Sequence, residues 1–255
     1  MLQSAYSIGL LSIYASSVVV LVVLFFVPAP YGRYQRQGWG PTMSVRAAWV
    51  VMELPAVLVI ALCATGGVAP DVAGRLVPLL FLGMWEIHYL YRTFIFPLLM
   101  RGGGKRFPVV LILFAMIFNT ANGFVNGYNL FLSGRDYPLQ WLGDLRFISG
   151  LAIFIGGFLI HALSDRSLRR LRRDHDAGYA IPRGGLFELV SAPNYFGEIV
   201  QWFGWGLMTW SLAGLSFAVF TVANLRPRGI RHHRWYRENF EEYPSRRRAI
   251  IPFVL

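Results

Sequence analysis

Residues 48–60 read AWVVMELPAVLVI. Twelve of these thirteen side chains carry no charge, and the exception, Glu53, stands in the middle. An apolar run of this kind suits a helix in hydrocarbon. An ionisable group costs about 2.5–3.5 kcal/mol there on insertion scales, so it turns toward a cavity or a partner. Pro55 follows two residues later. It leaves a carbonyl one turn earlier without its usual donor and loosens the helix beside the carboxylate. Two readings of Glu53 stay open on these residues alone: a buried acid hydrogen-bonded to a neighbouring helix, and a catalytic or ion-coupling group.

The rest of the chain has the same character. Of 255 residues, 55% are hydrophobic, and the mean hydropathy is +0.48. Averages that high belong to proteins whose outer side chains face lipid. The chain is therefore read as an all-α integral membrane protein. A net charge of +11 could suggest nucleic acid, but the placement of the basic residues points elsewhere and no nucleic-acid partner is expected. Cys63 is the single cysteine, so no internal disulfide forms. The first apolar stretch has no Lys or Arg before it, which fits a retained helix better than a cleaved signal.

A bilayer-spanning helix needs about 17–25 apolar residues. Helices are predicted at 5–27, 45–66, 76–100, 107–132 and 146–164. The stretch 195–225 is long for one span, and Ser211-Leu212-Ala213-Gly214 can turn it into two short helices. Cationic loops accumulate on the cytoplasmic face. Arginines crowd the loops at 28–45, 101–106 and 165–194 and the tail after 225, while the alternate loops carry only Arg75, Arg135 and Arg146. That alternation fits seven transmembrane helices, with the N-terminus outside and the C-terminus in the cytoplasm. Six spans would put the basic tail on the wrong side. The reading is one membrane-embedded domain, with 1–132 forming the pocket helices and 133–255 the cofactor-binding helices, loop and tail. The loop at 165–194 and the last thirty residues share a compartment and can form one cap.

Other clusters carry chemistry. WEIHYLYRTF, 85–94, puts Glu86, His88, Tyr89, Tyr91 and Arg92 in one span, too much polarity to face lipid. NTANGFVNGYN, 119–129, gives another helix amides and glycines that let helices approach and hydrogen-bond, an account at least equal to a functional one for Asn119, Asn126 and Asn129. Residues 164–200 are dense in arginine, which suits phosphate or lipid headgroups. Two leucines among those arginines suggest a short amphipathic helix, and Asn194 and Glu198 stand at the mouth of the next span. Gly102-Gly103-Gly104-Lys105 lacks the spacing of a P-loop, and no histidine pattern supports a metal.

These blocks resemble the steroid 5α-reductases, membrane enzymes that reduce Δ4-3-ketosteroids with NADPH. The likeness rests on ELPA at 53–56, HYLYRTFIFPLLMRG at 88–102, NGFVNGY at 122–128, LRRLR at 168–172, residues 179–211, and HHRWYRENFEEYPSRRRAIIPF at 232–253. It implies that Glu53 and Tyr89 bind the steroid 3-ketone and act in catalysis. It implies that Arg92 and Arg101 lie near the cofactor, with Lys105 or Arg106 as the next basic contact. It implies that Asp165, Arg172, Tyr179, Asn194, Glu198, Arg228, His232 and Tyr236 bind NADPH. The expected partners are a steroid or related enone lipid and the bilayer, with the oligomeric state left open and a monomer compatible. The expected location is a bacterial inner membrane, or the endoplasmic reticulum membrane in a eukaryote. Departures from the family pattern are His161 for the usual Asn, Ala180 for an Arg, Met52 for a Gln, and a glycine loop two residues longer. Two other readings use parts of the same sequence. An isoprenylcysteine-type methyltransferase would share the C-terminal block and leave ELP and HYxxRT without a task. A proton-coupled transporter would use Glu53, Glu86 and His88 as a relay, but no paired repeat supports it.

Overall fold

A computed structural model of the chain describes residues 1–66, 72–100, 105–174 and 179–255. Helices dominate. α1 is Leu2–Phe26, α2 Val45–Gly66 and α3 Val72–Leu90. A π-helical turn at Tyr91–Ile95 joins α3 to the short α4, Phe96–Leu99. α5, Val109–Gly127, runs into a second π turn at Tyr128–Leu132. α6 is Leu145–Asp174, α7 Pro193–Thr209 and α8 Leu212–Asn239. A two-stranded antiparallel ribbon, β1 Thr42–Ser44 against β2 Arg106–Pro108 with Met43 opposite Phe107, and a single parallel bridge between Val190 and Arg248 depart from the all-α pattern.

Each predicted helix has its counterpart, and the stretch 195–225 does divide. The break falls at Trp210 and Ser211, slightly earlier than the sequence suggested. Trp210 adopts a left-handed φ of 43°, and the Ser211 hydroxyl accepts from the Gly214 N–H at 3.0 Å to cap α8. Two helices run further than hydropathy indicated. α6 passes its apolar run and carries the arginines to Asp174, so the expected separate amphipathic helix is a continuation. α8 likewise continues fourteen residues past Leu225, with Arg226, Arg228, Arg231, Arg234 and Arg237 on it. Straight-chain arginine and leucine favour helix, so loss of apolarity does not end one.

Among the described residues, four helices are long and apolar enough to cross a membrane: Leu2–Phe26, Val45–Gly66, Val109–Leu132 and Leu145–Arg172. α3 with α4 is diluted by Glu86 and Arg92, α7 has 17 residues, and the second half of α8 carries five arginines. Leu11, Val18, Leu62, Phe114 and Ile117 are exposed. The interior is aromatic, with Trp85, Trp202, Trp205, Phe81 and Met208 completely enclosed. That distribution is what a lipid solvent selects.

The closest helix contact is between α6 and α7. Gly150 and Gly157 on α6 face Gly204 and Gly197 on α7. A Cβ on Gly157 would collide with the backbone of Gln201, and one on Gly197 with the backbone of His161. Glycines seven residues apart fall on one helix face, so the two backbones touch along a seam of two turns. The seam sets the position of every polar residue on these two helices.

Candidate active site

Glu53 is buried where α2 faces α5 and the π turn after α3. Its Oε1 accepts from Arg92 Nη2 at 3.1 Å. Its Oε2 accepts from Asn119 Nδ2 at 3.3 Å, and the same amide donates to the Met52 carbonyl at 2.6 Å. The Met52 carbonyl, on the turn before Pro55, thus accepts from a side chain of another helix. Arg92 reaches a second acid, with Nη1 3.6 Å from Glu198 Oε2 on α7, and its guanidinium lies 4.9 Å from the centre of the Trp49 ring. His161 Nδ1 is 3.8 Å from the same Glu198 oxygen and 3.2 Å from the Asn194 carbonyl. Its Nε2 is 3.7 Å from Asp165, which also accepts from Asn194 Nδ2 at 3.1 Å. Five elements thus converge in one polar cluster inside an otherwise apolar bundle. Arg92, assigned to the cofactor by resemblance, is held by two carboxylates, and Glu53 is no isolated acid.

Tyr89 lies one turn before Arg92, 3% exposed, its ring tilted against Trp85 at 4.8 Å and Trp202 at 6.0 Å. Its hydroxyl is close enough to feel the charges of Glu53, Arg92 and Glu198. Tyr89 thus neighbours the cluster of Glu53, Arg92 and Glu198. Around it, Thr93 Oγ1, Gln201 Oε1 and Trp202 Nε1 are buried and have no hydrogen-bond partner. Unsatisfied polar atoms grouped beside a polar cluster suit a bound ligand with its own donors and acceptors.

A second group forms on the part of α8 beyond its apolar run. Arg228 donates to the Tyr31 hydroxyl and packs on the Tyr31 and Tyr195 rings, 5.1 and 5.6 Å from their centres. His232 sits between Tyr195 Oη at 3.2 Å and Tyr34 Oη at 3.4 Å. Burial drives its pKa down to about 3, helped by Arg33, Arg228, Arg172 and Arg231, so the ring is neutral. Tyr236 is buried and accepts from Arg33 Nη2 at 3.2 Å. Tyr179 is more exposed and meets Trp235 edge-on at 5.2 Å. The loop at 179–192 and the C-terminal tail do pack together. Arg247, fully buried, donates to the Pro182 carbonyl and to Glu188, and Ser191 Oγ meets His233 and Tyr243 at 2.7 and 2.6 Å.

The residues named from sequence fall unevenly. Glu53, Tyr89, Arg92, Asp165, Asn194 and Glu198 lie in the inner cluster. Arg228, His232, Tyr236 and Tyr179 lie in the outer group, and Arg172 acts on His232 from α6. Lys105 is exposed at the foot of β2, and the Arg106 guanidinium is taken up by Thr42. Arg101 and the glycines after it lie outside the described residues. Glu86 stays apart, its carboxylate oxygens buried and without a hydrogen-bond partner. His88 pairs with Gln201 at 3.1 Å. Sequence reasoning passed over Tyr31, Arg33 and Tyr34 as site residues, although YGRY has the aromatic–basic alternation of a ligand-facing loop. It also passed over the seam glycines, whose seven-residue spacing was the available signal.

The chain is similar in sequence to proteins that are known. The family model for 3-oxo-5-alpha-steroid 4-dehydrogenase matches residues 105–255. The chain is 44% identical over 242 residues to 3-oxo-5-alpha-steroid 4-dehydrogenase 1 of Bos taurus, covering 94% of this chain and 93% of the relative. It is 44% identical over 240 residues to steroid 5-alpha-reductase DET2 of Arabidopsis thaliana, covering 91% and 90%. Against 3-oxo-5-alpha-steroid 4-dehydrogenase 1 of Homo sapiens the identity is 43% over 226 residues, covering 88% and 85%.

Proposed function

Because the chain belongs to the 3-oxo-5-alpha-steroid 4-dehydrogenase family, oxidoreductases acting on CH–CH bonds, we propose that it reduces the Δ4 double bond of 3-oxo-Δ4-steroids, or of a closely related enone lipid, with NADPH. NADPH, when bound, would supply the hydride that C5 receives. The electron pair of the double bond then moves to the 3-oxygen, and the steroid becomes an enolate before a proton reaches C4. A donor aimed at that oxygen stabilises the transition state more than the ground state.

Tyr89 and Glu53 are the donors of this reading. Glu53 and Glu198 share one guanidinium, so two carboxylates meet one cation in a dry setting. A proton held on Glu53 balances that count and gives the ketone a second hydrogen bond. Asn119 keeps the carboxyl oriented. Arg92 links the ketone end to Glu198, and Asn194, Asp165 and His161 hold the adjoining polar wall. The outer group supports the cofactor assignment. Arg228, His232, Tyr236, Tyr179 and Arg172 are the residues that would hold an anionic dinucleotide, and the cationic, ring-lined setting fits one. Arg101, and Lys105 from its exposed position, would add to the basic approach.

The carrying observation is the burial of Glu53 and Tyr89 together beside an arginine shared with a second acid. The lipid-facing exterior and the distribution of arginine support seven spans, N-terminus outside and C-terminus cytoplasmic. Family membership removes the grounds for the methyltransferase and transporter readings. The test is turnover. Purified protein in detergent, given a Δ4-3-ketosteroid and NADPH, should consume cofactor and yield the 5α-reduced ketone by mass spectrometry. No consumption across several steroids and enone lipids would overturn the reading.

A further inference from the structure

The loop between α1 and α2 does more than connect them. Within four residues, Tyr31, Arg33 and Tyr34 each engage a different residue of the outer group. Tyr31 accepts from Arg228, Arg33 donates to Tyr236, and Tyr34 lies over His232 with ring centres 5.6 Å apart. Arg33 is the unusual member. Its guanidinium carbon is 3.8 Å from the centre of the Trp235 ring, 4.3 Å from Tyr179 and 4.7 Å from Tyr236. Three aromatic rings hold the fork in place. Its Nε and Nη1 are buried and have no hydrogen-bond partner, and among the described residues it makes no ion pair. A fixed guanidinium with idle donors and no carboxylate is costly to maintain unless an anion completes it.

Position says which anion. The reacting end of the cofactor must reach Glu53 and Tyr89, next to Arg92 and Glu198. Glu198 in turn lies close enough to Arg228 to act on its charge. From Arg228 the contacts step along α8 to His232 and then Tyr236, eight residues or about 12 Å of helix away from the reacting end. Arg33 lies at that far end. A dinucleotide whose nicotinamide is at Glu53 places its adenosine half there.

We propose that Arg33 closes the far end of the cofactor site and binds the 2′-phosphate of the adenosine half, making it the residue that selects NADPH over NADH. The inference rests on the NADPH reading above. Trp235, Tyr179 and Tyr236 act as positioning residues for the guanidinium. The planar fork can give two parallel hydrogen bonds to a phosphate, which a lysine cannot.

Arg33→Met and Arg33→Lys, made in the full chain in detergent, test it in two ways. The first compares kcat/KM with NADPH and with NADH. Loss of hydrogen bonds to a charged group should lower the NADPH/NADH preference by about 10–100-fold in Arg33→Met and by less in Arg33→Lys. Equal loss with both nucleotides, or none with either, overturns the proposal. The second needs no turnover. Adenosine 2′,5′-bisphosphate should raise the melting temperature of the wild type more than 5′-AMP does, and Arg33→Met should abolish that difference. A difference that survives the substitution overturns the proposal. If the wild type turned over no enone with either nucleotide, the parent reading would fail, and the melting experiment would still decide whether Arg33 is a phosphate site.

Discussion

The inner cluster and the outer group are both rich in arginine, yet they are built on opposite terms. In the inner one, Arg92 is flanked by Glu53 and Glu198, Asn119 donates to Glu53, and Asn194 donates to Asp165. The cation is answered by the protein's own acids. In the outer one, Arg33 and Arg228 are backed by aromatic rings and by a neutral His232. The difference separates two kinds of ligand. A site whose cation is already paired can receive a neutral molecule and respond to charge as it develops, because its dipoles are already oriented. A site left cationic gains most from a ligand that arrives charged.

The comparison can be broken in stages. The largest effect is expected from Gly157→Ala, which touches neither region but would force α6 away from α7. Overpacking of this kind costs about 1–3 kcal/mol and more where backbone is the neighbour, so thermal stability in detergent should fall and both sites should be lost together. Next come Glu53→Gln and Tyr89→Phe, which keep shape and remove a donor. Each should lower kcat by about 10²–10³ with little change in NADPH affinity by fluorescence titration. Weakened nucleotide binding in either variant would mean that the regions are not separate. Arg228→Ala should do the reverse, raising KM for NADPH by about 10–100-fold while kcat at saturation stays close to wild type. That effect should shrink as ionic strength rises.

The smallest effect is with pH. His232 has a pKa lowered to about 3, and burial beside Arg237 and Arg248 lowers that of His233 as well. The unfolded chain therefore binds more protons than the folded one. The contribution of both rings is complete above about pH 6.5 and declines as pH falls from there toward 3. Melting temperature should drop between pH 7.5 and 5, with a shallower slope in His232→Gln. An unchanged slope would mean that His232 does not carry the pH sensitivity.

Much of the fold could be read from the chain because hydrocarbon imposes a length and a composition on each helix. The seven apolar runs correspond to the seven long helical stretches of the described residues, counting α3 with α4 as one. Helix ends were harder. α6 and α8 outlast their apolar segments because arginine is a good helix former, and hydropathy does not register that. Glu53, Tyr89 and Arg92 were visible as polar residues in the wrong solvent. Asn119 was not separable from packing amides, since its role depends on where α5 passes Met52 and Glu53. The use of Arg33 required knowing that the loop after α1 crosses to α8, a relation between residues two hundred apart in sequence.

The contact of α6 with α7 has a consequence for how variants of this chain should be interpreted. Gly150, Gly157, Gly197 and Gly204 offer no atom to any ligand, yet each fixes how far His161 and Asp165 stand from Asn194 and Glu198. One added methyl would read in an assay like damage to the chemistry itself. A position can be indispensable to a reaction by contributing only room.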